Sequence, residues 1–481
     1  MIKNLYEKYD KCSVVMKASI WFLICSFLQK GISVITTPIF TRLLTTWQYG
    51  MYNVFDSWLS IISIIVTLNL SFGVYVQGLI KYEDEKDLFS SSLQGLNLLL
   101  CFVWTVMYFM FHKYINGISK LSTTQMILMF LIIWTSSVFN FWAAEQRVDY
   151  KYHLLVFISL IVSVLKPVIG VWFVLKSDDK VTARILGIVL VNLLIYPWMF
   201  LYQVRKGKKL FCRKFWKYSL SYNIPLIPHY LSQTILNNSD RIMINFYIGE
   251  DKSGIYSLAY SIAMLMTLFN LALAQTLNPW IFTKIKEKRI SDITPVAYIS
   301  IIVVMVLNLL LIIVAPEAVR LFAPEEYYEA IYCIPPIAMG VPFLFSYELF
   351  AKFAFYYEKT RFVMVASMGG AILNIIMNIW GIKNWGYIAA AYTTLICYIL
   401  YAILHYIFMK VICKRYMNER EPYNVKVLLA LSIIFLAAGT AIMYIYKYSV
   451  IRYSIIFAII LLVIFQKKRL FQILKRISNL K

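Results

Sequence analysis

An all-α integral membrane protein with about fourteen transmembrane helices is the fold class this sequence predicts, and three features predict it. The 481-residue chain is 61% hydrophobic, whereas soluble domains stand near 45–50%. Only 15% of its residues are charged, and these gather between long apolar runs. The runs reach about 20 residues, enough to cross the hydrocarbon as helices.

Charged and Pro/Gly-rich breaks place the spans near 16–41, 49–80, 89–112, 122–146, 152–175, 182–204, 219–247, 254–283, 292–315, 330–356, 362–382, 386–409, 424–446 and 453–466. The apolar run after Lys17 continues to about Thr41 without a small-residue cleavage site, so it reads as a retained first span and not as a secretory signal. The last span is short, and the second and eighth are long enough to tilt or to extend beyond the membrane. No loop between spans is long enough for a catalytic domain, so the chain acts within the bilayer.

Lysine and arginine set the orientation. Of the 47, ten fall on outer segments, five lie inside spans, and thirty-two fall on segments that are cytoplasmic if the N-terminus is inside. Those include "RKGKKLFCRKFWK" (205–217), "KIKEKR" (284–289) and "KKRLFQILKR" (467–476). This bias places both termini in the cytoplasm and favours an even number of spans. It also accounts for the net charge of +23 without nucleic acid, for which no soluble basic domain exists. The seven cysteines are scattered and lack CxxC spacing, which argues against a disulfide framework or a zinc site. No GK[ST] phosphate loop is present, which argues against ATP hydrolysis.

A shift of 204 residues lays "YGMYNVFDSWLSII" (49–62) on "SGIYSLAYSIAMLM" (253–266), matching Gly50 with Gly254, Tyr52 with Tyr256 and Ser57 with Ser261. Six spans per half is even, so the halves are parallel repeats, and sites in such transporters lie between the repeats near mid-membrane. The expected division is an N-terminal six-helix lobe (1–210), a C-terminal six-helix lobe (211–415), and two additional helices with a basic tail (416–481).

Five cations lie inside spans: Lys30, Lys166, Arg184, Arg241 and Lys352. Each costs about 2.5–3.5 kcal/mol at the bilayer centre, so each needs a polar interior, a partner or a route to the interface. Lys30 and Lys166 stand near mid-depth. Arg184 is one turn inside its span and reads as a snorkelling cation. Lys352 follows Glu348 at i,i+4, which suggests mutual neutralisation. Asp56 pairs with a cation or binds a coupling ion. In span seven, His229, Gln233, Asn237 and Arg241 recur every fourth residue and so share a helix face. Lipid cannot satisfy that seam; water or another polar helix can. Asp240 points about 100° away from Arg241 and is free to pair elsewhere. Pro225 and Pro228 kink the same helix and form a candidate hinge. Cations exceed acids at these depths, and guanidinium and ammonium groups suit phosphate oxygens.

"FLQKGISVITTPIFTRLLTTWQYGMYNVFDSW" together with "YNIPLIPHYLSQTILNNSDRIMINFYIGEDKSGIYSLAYSIA" resembles the polysaccharide (O-antigen or capsule repeat-unit) flippases of the multidrug/oligosaccharidyl-lipid/polysaccharide transporter superfamily. The resemblance implies alternating access through a cationic cavity in the bacterial inner membrane. The implied substrate is an undecaprenyl-pyrophosphate-linked oligosaccharide, moved from the cytoplasmic to the periplasmic leaflet. A polymerase and a chain-length regulator of the same pathway are the partners it suggests. Lys30 and Arg241 take the cavity role from position and resemblance together; Lys166, Lys352 and Arg184 take it from depth alone. No cofactor is expected, and Asp56, Asp240 and Glu348 are candidates for coupling to H+ or Na+. The alternatives are a lipid II flippase, a drug exporter, and a membrane glycan polymerase or glycosyltransferase.

Overall fold

A computed structural model describes residues 13–417 and 421–465, with side chains to 458 except at 276 and 360; the cysteine at position 12 and the basic tail at 467–476 lie outside the described residues. Every regular element among the described residues is helical. Twelve helical runs among them, with Glu250–Lys286 counted as one, are long and apolar enough to cross a membrane. The seventh and fourteenth predicted spans are not among the twelve. The seventh is too polar because of its seam, and of the fourteenth only Ser449–Ala458 falls among the residues whose side chains are described. The chain forms two compact units, 1–238 and 239–481, and the division falls within the helix that carries the seam.

The first unit begins with α1 (Val14–Leu43), capped by Ser13, whose hydroxyl accepts from the Met16 amide. Thr45 then makes a reciprocal capping box with Gln48 and starts α2 (Thr46–Thr67). The predicted long second span breaks into two helices. Leu68 and Asn69 take left-handed φ values of 51° and 52°, Gly73 follows at 66°, and α3 (Val74–Lys81) resumes the helix. After it come α4 (Lys86–Ser119), α5 (Thr123–Val148), α6 (Tyr152–Lys176) and α7 (Lys180–Gly207). α4 passes through the segment expected as an outer loop, bending at Phe111, and stops only at Lys120 with φ 55°.

A buried polar network ties the unit's interior. Gln203 donates to Glu145 at 2.6 Å and to the Tyr75 hydroxyl at 3.2 Å, while Gln94 donates to Gln203 at 2.7 Å. Away from it the surface is apolar, with Phe102, Trp198 and Leu175 about two-thirds exposed, as suits contact with lipid.

α8 (Arg213–Asn223), a 3-10 turn at Ile224–Leu226 and α9 (Ile227–Tyr247) follow. Predicted span seven is therefore three pieces. Pro225 sits in the 3-10 turn, and Pro228 sits in the first turn of α9, where a missing N–H is tolerated.

The second unit contains α10 (Glu250–Met264), α11 (Thr267–Lys286), α12 (Ile290–Ile313), α13 (Ala315–Phe322), α14 (Ile334–Tyr356), α15 (Thr360–Trp385), α16 (Ile388–Tyr416), α17 (Val425–Tyr444) and α18 (Ser449–Phe465). The predicted eighth span is interrupted at Leu265–Met266. α13 and a 3-10 stretch at Glu325–Tyr332 order the predicted outer loop after span nine. α14 is almost wholly buried. Its Gly340 leaves room for Tyr398 of α16, since a Cβ there would lie 2.8 Å from that ring.

Helix boundaries repeat across the chain. α1 and α9 end at 43 and 247, α2 and α10 begin at 46 and 250, and α4 and α12 begin at 86 and 290. Each pair is separated by 204 residues, the shift that aligned the sequence.

Candidate functional site

Two charged clusters stand out, one inside each unit. In the first, α1, α2, α6 and α7 enclose a cavity of about 280 Å³ whose lining includes Gln29, Ser33, Tyr52, Lys166 and Arg184. The α6–α7 crossing that brings the two cations together is a glycine contact. A Cβ on Gly187 would lie 2.6 Å from the Gly170 Cα, so only glycine permits this approach. Gly170 lies one turn from Lys166, and Gly187 lies one turn from Arg184.

Arg184, expected to snorkel, packs on aromatic rings of its own unit. Its guanidinium carbon lies 3.8 Å from the Phe40 ring centroid and 3.4 Å from that of Tyr52. Its Nη1 is buried and meets no acceptor among the described residues. The Lys166 Nζ lies 5.6 Å from the buried Tyr196 ring. Neither cation is ion-paired among the described residues, and no carboxylate lines the cavity. Lys30 is exposed on α1 and is not among the lining residues, although its neighbour Gln29 is. Asp56 is one turn beyond Tyr52 on α2, half-buried, and close enough to act on that ring.

Along α9 the seam changes character. His229 and Gln233 are half-buried and Asn237 is exposed, its amide donating to the Gln233 carbonyl at 3.0 Å. The His229 Nδ1 is buried without a partner among the described residues. Arg241, in the second unit, is buried, and its guanidinium carbon lies 4.5 Å from the Tyr260 ring centroid.

Asp240 forms the second cluster. It makes no ion pair within 4 Å among the described residues; its hydrogen bonds come from neutral donors, and Arg241 is the cation close enough to attract it. The Tyr256 and Thr394 hydroxyls donate to Oδ2 at 2.5 and 2.7 Å, and the Asn378 amide donates to Oδ1 at 2.6 Å. Asn378 also donates to Asn374 at 3.2 Å, and Thr393 donates to Asn378. The carboxylate is 2% exposed. A cage of three donors satisfies its oxygens but leaves its charge uncancelled within the cage. On α14, Glu348 and Lys352 share a face and attract one another, although no ion pair within 4 Å joins them. The Lys352 ammonium instead lies 5.8 Å from the Phe355 ring centroid.

Sequence reasoning missed the partners. Asn374 and Asn378 stand at i,i+4 in an apolar span, the same signal that exposed the α9 seam. Phe40, Tyr52 and Tyr260 carried no signal, because 17% of the chain is aromatic.

The chain belongs to the polysaccharide biosynthesis protein family, whose model matches residues 15–285. A MatE model matches residues 225–380. The chain is 26% identical over 212 residues to a product of the Lsg locus of Haemophilus influenzae, which covers 41% of this chain. It spans about half the length of the curated relatives it matches. Among solved structures it is similar to the lipid II flippase MurJ in an inward closed conformation, with a TM-score of 0.63 and 14% identity over 89% of this chain and 99% of that one. An inward-facing multidrug transporter of the MOP (multidrug/oligosaccharidyl-lipid/polysaccharide) superfamily gives a TM-score of 0.62 and 13% identity over 81% and 96%. The fold is thus that of the MOP transporters.

Proposed function

We propose that the chain is a flippase, a transporter and not an enzyme, that carries undecaprenyl-pyrophosphate-linked oligosaccharide repeat units from the cytoplasmic to the outer leaflet of the bacterial inner membrane. It would serve surface polysaccharide synthesis together with a polymerase and a chain-length regulator. The observation that carries this reading is the pair Lys166 and Arg184, unpaired cations lining one cavity that has no carboxylate. At about 280 Å³ it falls below the roughly 300–1,000 Å³ of pockets for drug-sized ligands. It suits a pyrophosphate head group and not a chain of sugars. Arg184, held against two rings with Nη1 unsatisfied, supplies a fork for phosphate oxygens, and Lys166 supplies a mobile point charge. An organic cation would find no acid there, which disfavours the drug-exporter reading. Membership of the polysaccharide family favours the repeat unit over lipid II, which has the same pyrophosphate.

Asp240 is our choice for the coupling site, because a buried carboxylate ringed by neutral donors can take up H+ or Na+ without first breaking an ion pair. Asp240→Asn presents an amide N–H to groups that themselves donate. It should cost about 1–3 kcal/mol of stability and abolish any response of transport to an imposed H+ or Na+ gradient. A gradient response that survives in the variant removes Asp240 from this role.

The test is proteoliposome transport, read by lectin or enzyme access to the glycan, with lipid-linked oligosaccharide and lipid II compared. The expected result is transfer of the oligosaccharide, lost at least tenfold in Lys166→Ala and Arg184→Ala at normal protein levels, as expected when charge-assisted bonds to phosphate are removed. Full transport in both variants defeats the assignment. Preferential transfer of lipid II shifts the substrate, and longer glycans appearing in the assay indicate a polymerase.

A further inference from the structure

The second unit holds another charged cavity, on the side that lysine and arginine mark as cytoplasmic. α14 ends at Tyr356, Glu358 turns the chain with φ 56°, and α15 begins at Thr360. With the last turns of α16, this corner encloses about 510 Å³, lined by Lys359, Arg361, Arg415, Glu358, Phe362 and Phe408 among others. The rings of Phe362 and Phe408 stack with centroids 3.8 Å apart and give it an apolar wall. No ion pair among the described residues involves Lys359, Arg361 or Arg415; Glu358 is the acid among the lining residues.

The charges also stand at an unfavourable place. A helix N-terminus carries partial positive charge and N–H groups without helical acceptors. α15 begins with Lys359 at its cap position and Arg361 in its first turn. It has no acid in that turn, and the cap residue makes no side-chain hydrogen bond. Cations, free amides and the dipole all call for an anion at the same point.

The surface beyond the cavity says what kind of anion. On α16, Leu404, Ile407 and Val411 are 43%, 53% and 54% exposed, and on α15 Val365 and Ile372 are 61% and 57% exposed. These residues run from the cavity towards the membrane interior. A ligand with its charge in the cavity would lay apolar chains on them. We infer that this cavity binds the phosphate of an anionic phospholipid of the cytoplasmic leaflet. Basic pockets between transmembrane helices on that side are suited to such head groups.

The full-length protein in neutral detergent should be titrated with short-chain phosphatidylglycerol, phosphatidylcholine of the same chains, and inorganic phosphate, following the unfolding midpoint. Phosphatidylglycerol should raise the midpoint saturably by about 3–5 °C, as expected for a ligand in roughly hundredfold excess over its Kd. The other two should leave it unchanged. Lys359→Gln/Arg361→Gln/Arg415→Gln should abolish the shift, while Lys206→Gln/Lys208→Gln/Lys209→Gln should keep it. Arg415→Gln alone, at an exposed helix end, should raise the half-saturating concentration about fivefold; this keeps the question open to test if the triple variant does not fold. Equal shifts with phosphatidylcholine, reproduction of the shift by phosphate alone, or a full response in the triple variant overturns the site. Transport is not read at any step, so the result is independent of the flippase assignment.

Discussion

Arg184 shows how a cation can be kept ready inside a membrane protein without an acid beside it. Removing it from water costs about 2.5–3.5 kcal/mol on insertion scales. Each desolvated cation–π contact returns up to about 2 kcal/mol, and Arg184 has two close ones, with Phe40 and Tyr52, and a longer one with Tyr49. The rings therefore offset most of the cost while leaving Nη1 without an acceptor among the described residues. Tyr52→Phe keeps the ring and should transport nearly as the parent does, whereas Tyr52→Leu keeps only apolar bulk and should transport roughly tenfold less, a loss of about 1.4 kcal/mol. Leucine matching phenylalanine in the lectin-access assay would show that the ring face does nothing. Lys166, Arg184 and Asp240 were legible in the sequence because charge in a span is expensive and therefore rare. Tyr52 and Tyr256 occupy matching repeat positions, and each meets a charged site residue, yet neither was legible as a partner. In a tyrosine-rich chain every tyrosine has a blander explanation, and only the fold brings α7 to Tyr52 and α9 to Tyr256.

Elements are positioned by a few close approaches and caps. Gly187→Leu would drive a branched side chain into the α6 backbone at Gly170, with no flexible neighbour to give way. It should cost about 1–3 kcal/mol as overpacking and widen the cavity, so transport should fall while Gly117→Leu, at an open position, remains near parent level. On the side predicted to be outer, the Lys252 ammonium lies 2.5 Å from Glu329, and the Tyr387 hydroxyl donates to the same carboxylate at 2.6 Å. These hydrogen bonds, Lys252 first, hold the Glu329 carboxyl below its ordinary range. The unfolded chain then binds that proton more readily, so the stabilisation is present above the ordinary glutamate pKa and is lost as pH falls through the depressed one. Both partners are substantially exposed, so solvent screening keeps the effect well under ~1 kcal/mol. Glu329→Gln should flatten the acid side of the unfolding midpoint against pH; an unchanged acid limb would show that the carboxylate contributes nothing. The spans were legible because about 20 apolar residues leave little alternative. The breaks were not: Leu68 and Asn69 adopt left-handed backbone without a preceding glycine or proline to announce it.

At the scale of the whole molecule, charge decides what helix length leaves open. Twelve described helical runs, α10 and α11 counted as one, meet the length and hydropathy demands of a membrane span; α9 does not, and α18 is described with side chains only to Ala458. If α9 did not cross, every segment from α10 onward would change sides, and the Lys284–Arg289 turn would put four cations on the outer face. The positive-inside bias opposes that arrangement. At 21 residues and about 1.5 Å per residue, α9 has a length near 30 Å, enough to cross if its seam is not left against lipid. The same reasoning applies to α18, because the basic tail that follows would otherwise lie outside. Fourteen crossings therefore fit the charge, with α9 crossing by virtue of what its polar face meets and not by apolarity. Fusions truncated after Arg289 and after the final residue test this directly. A fluorescent protein that folds only in the cytoplasm should be bright at both points, and alkaline phosphatase should be silent at both. Active phosphatase after Arg289 would mean that α9 returns without crossing, and would remove the reason for its seam to face a transport path.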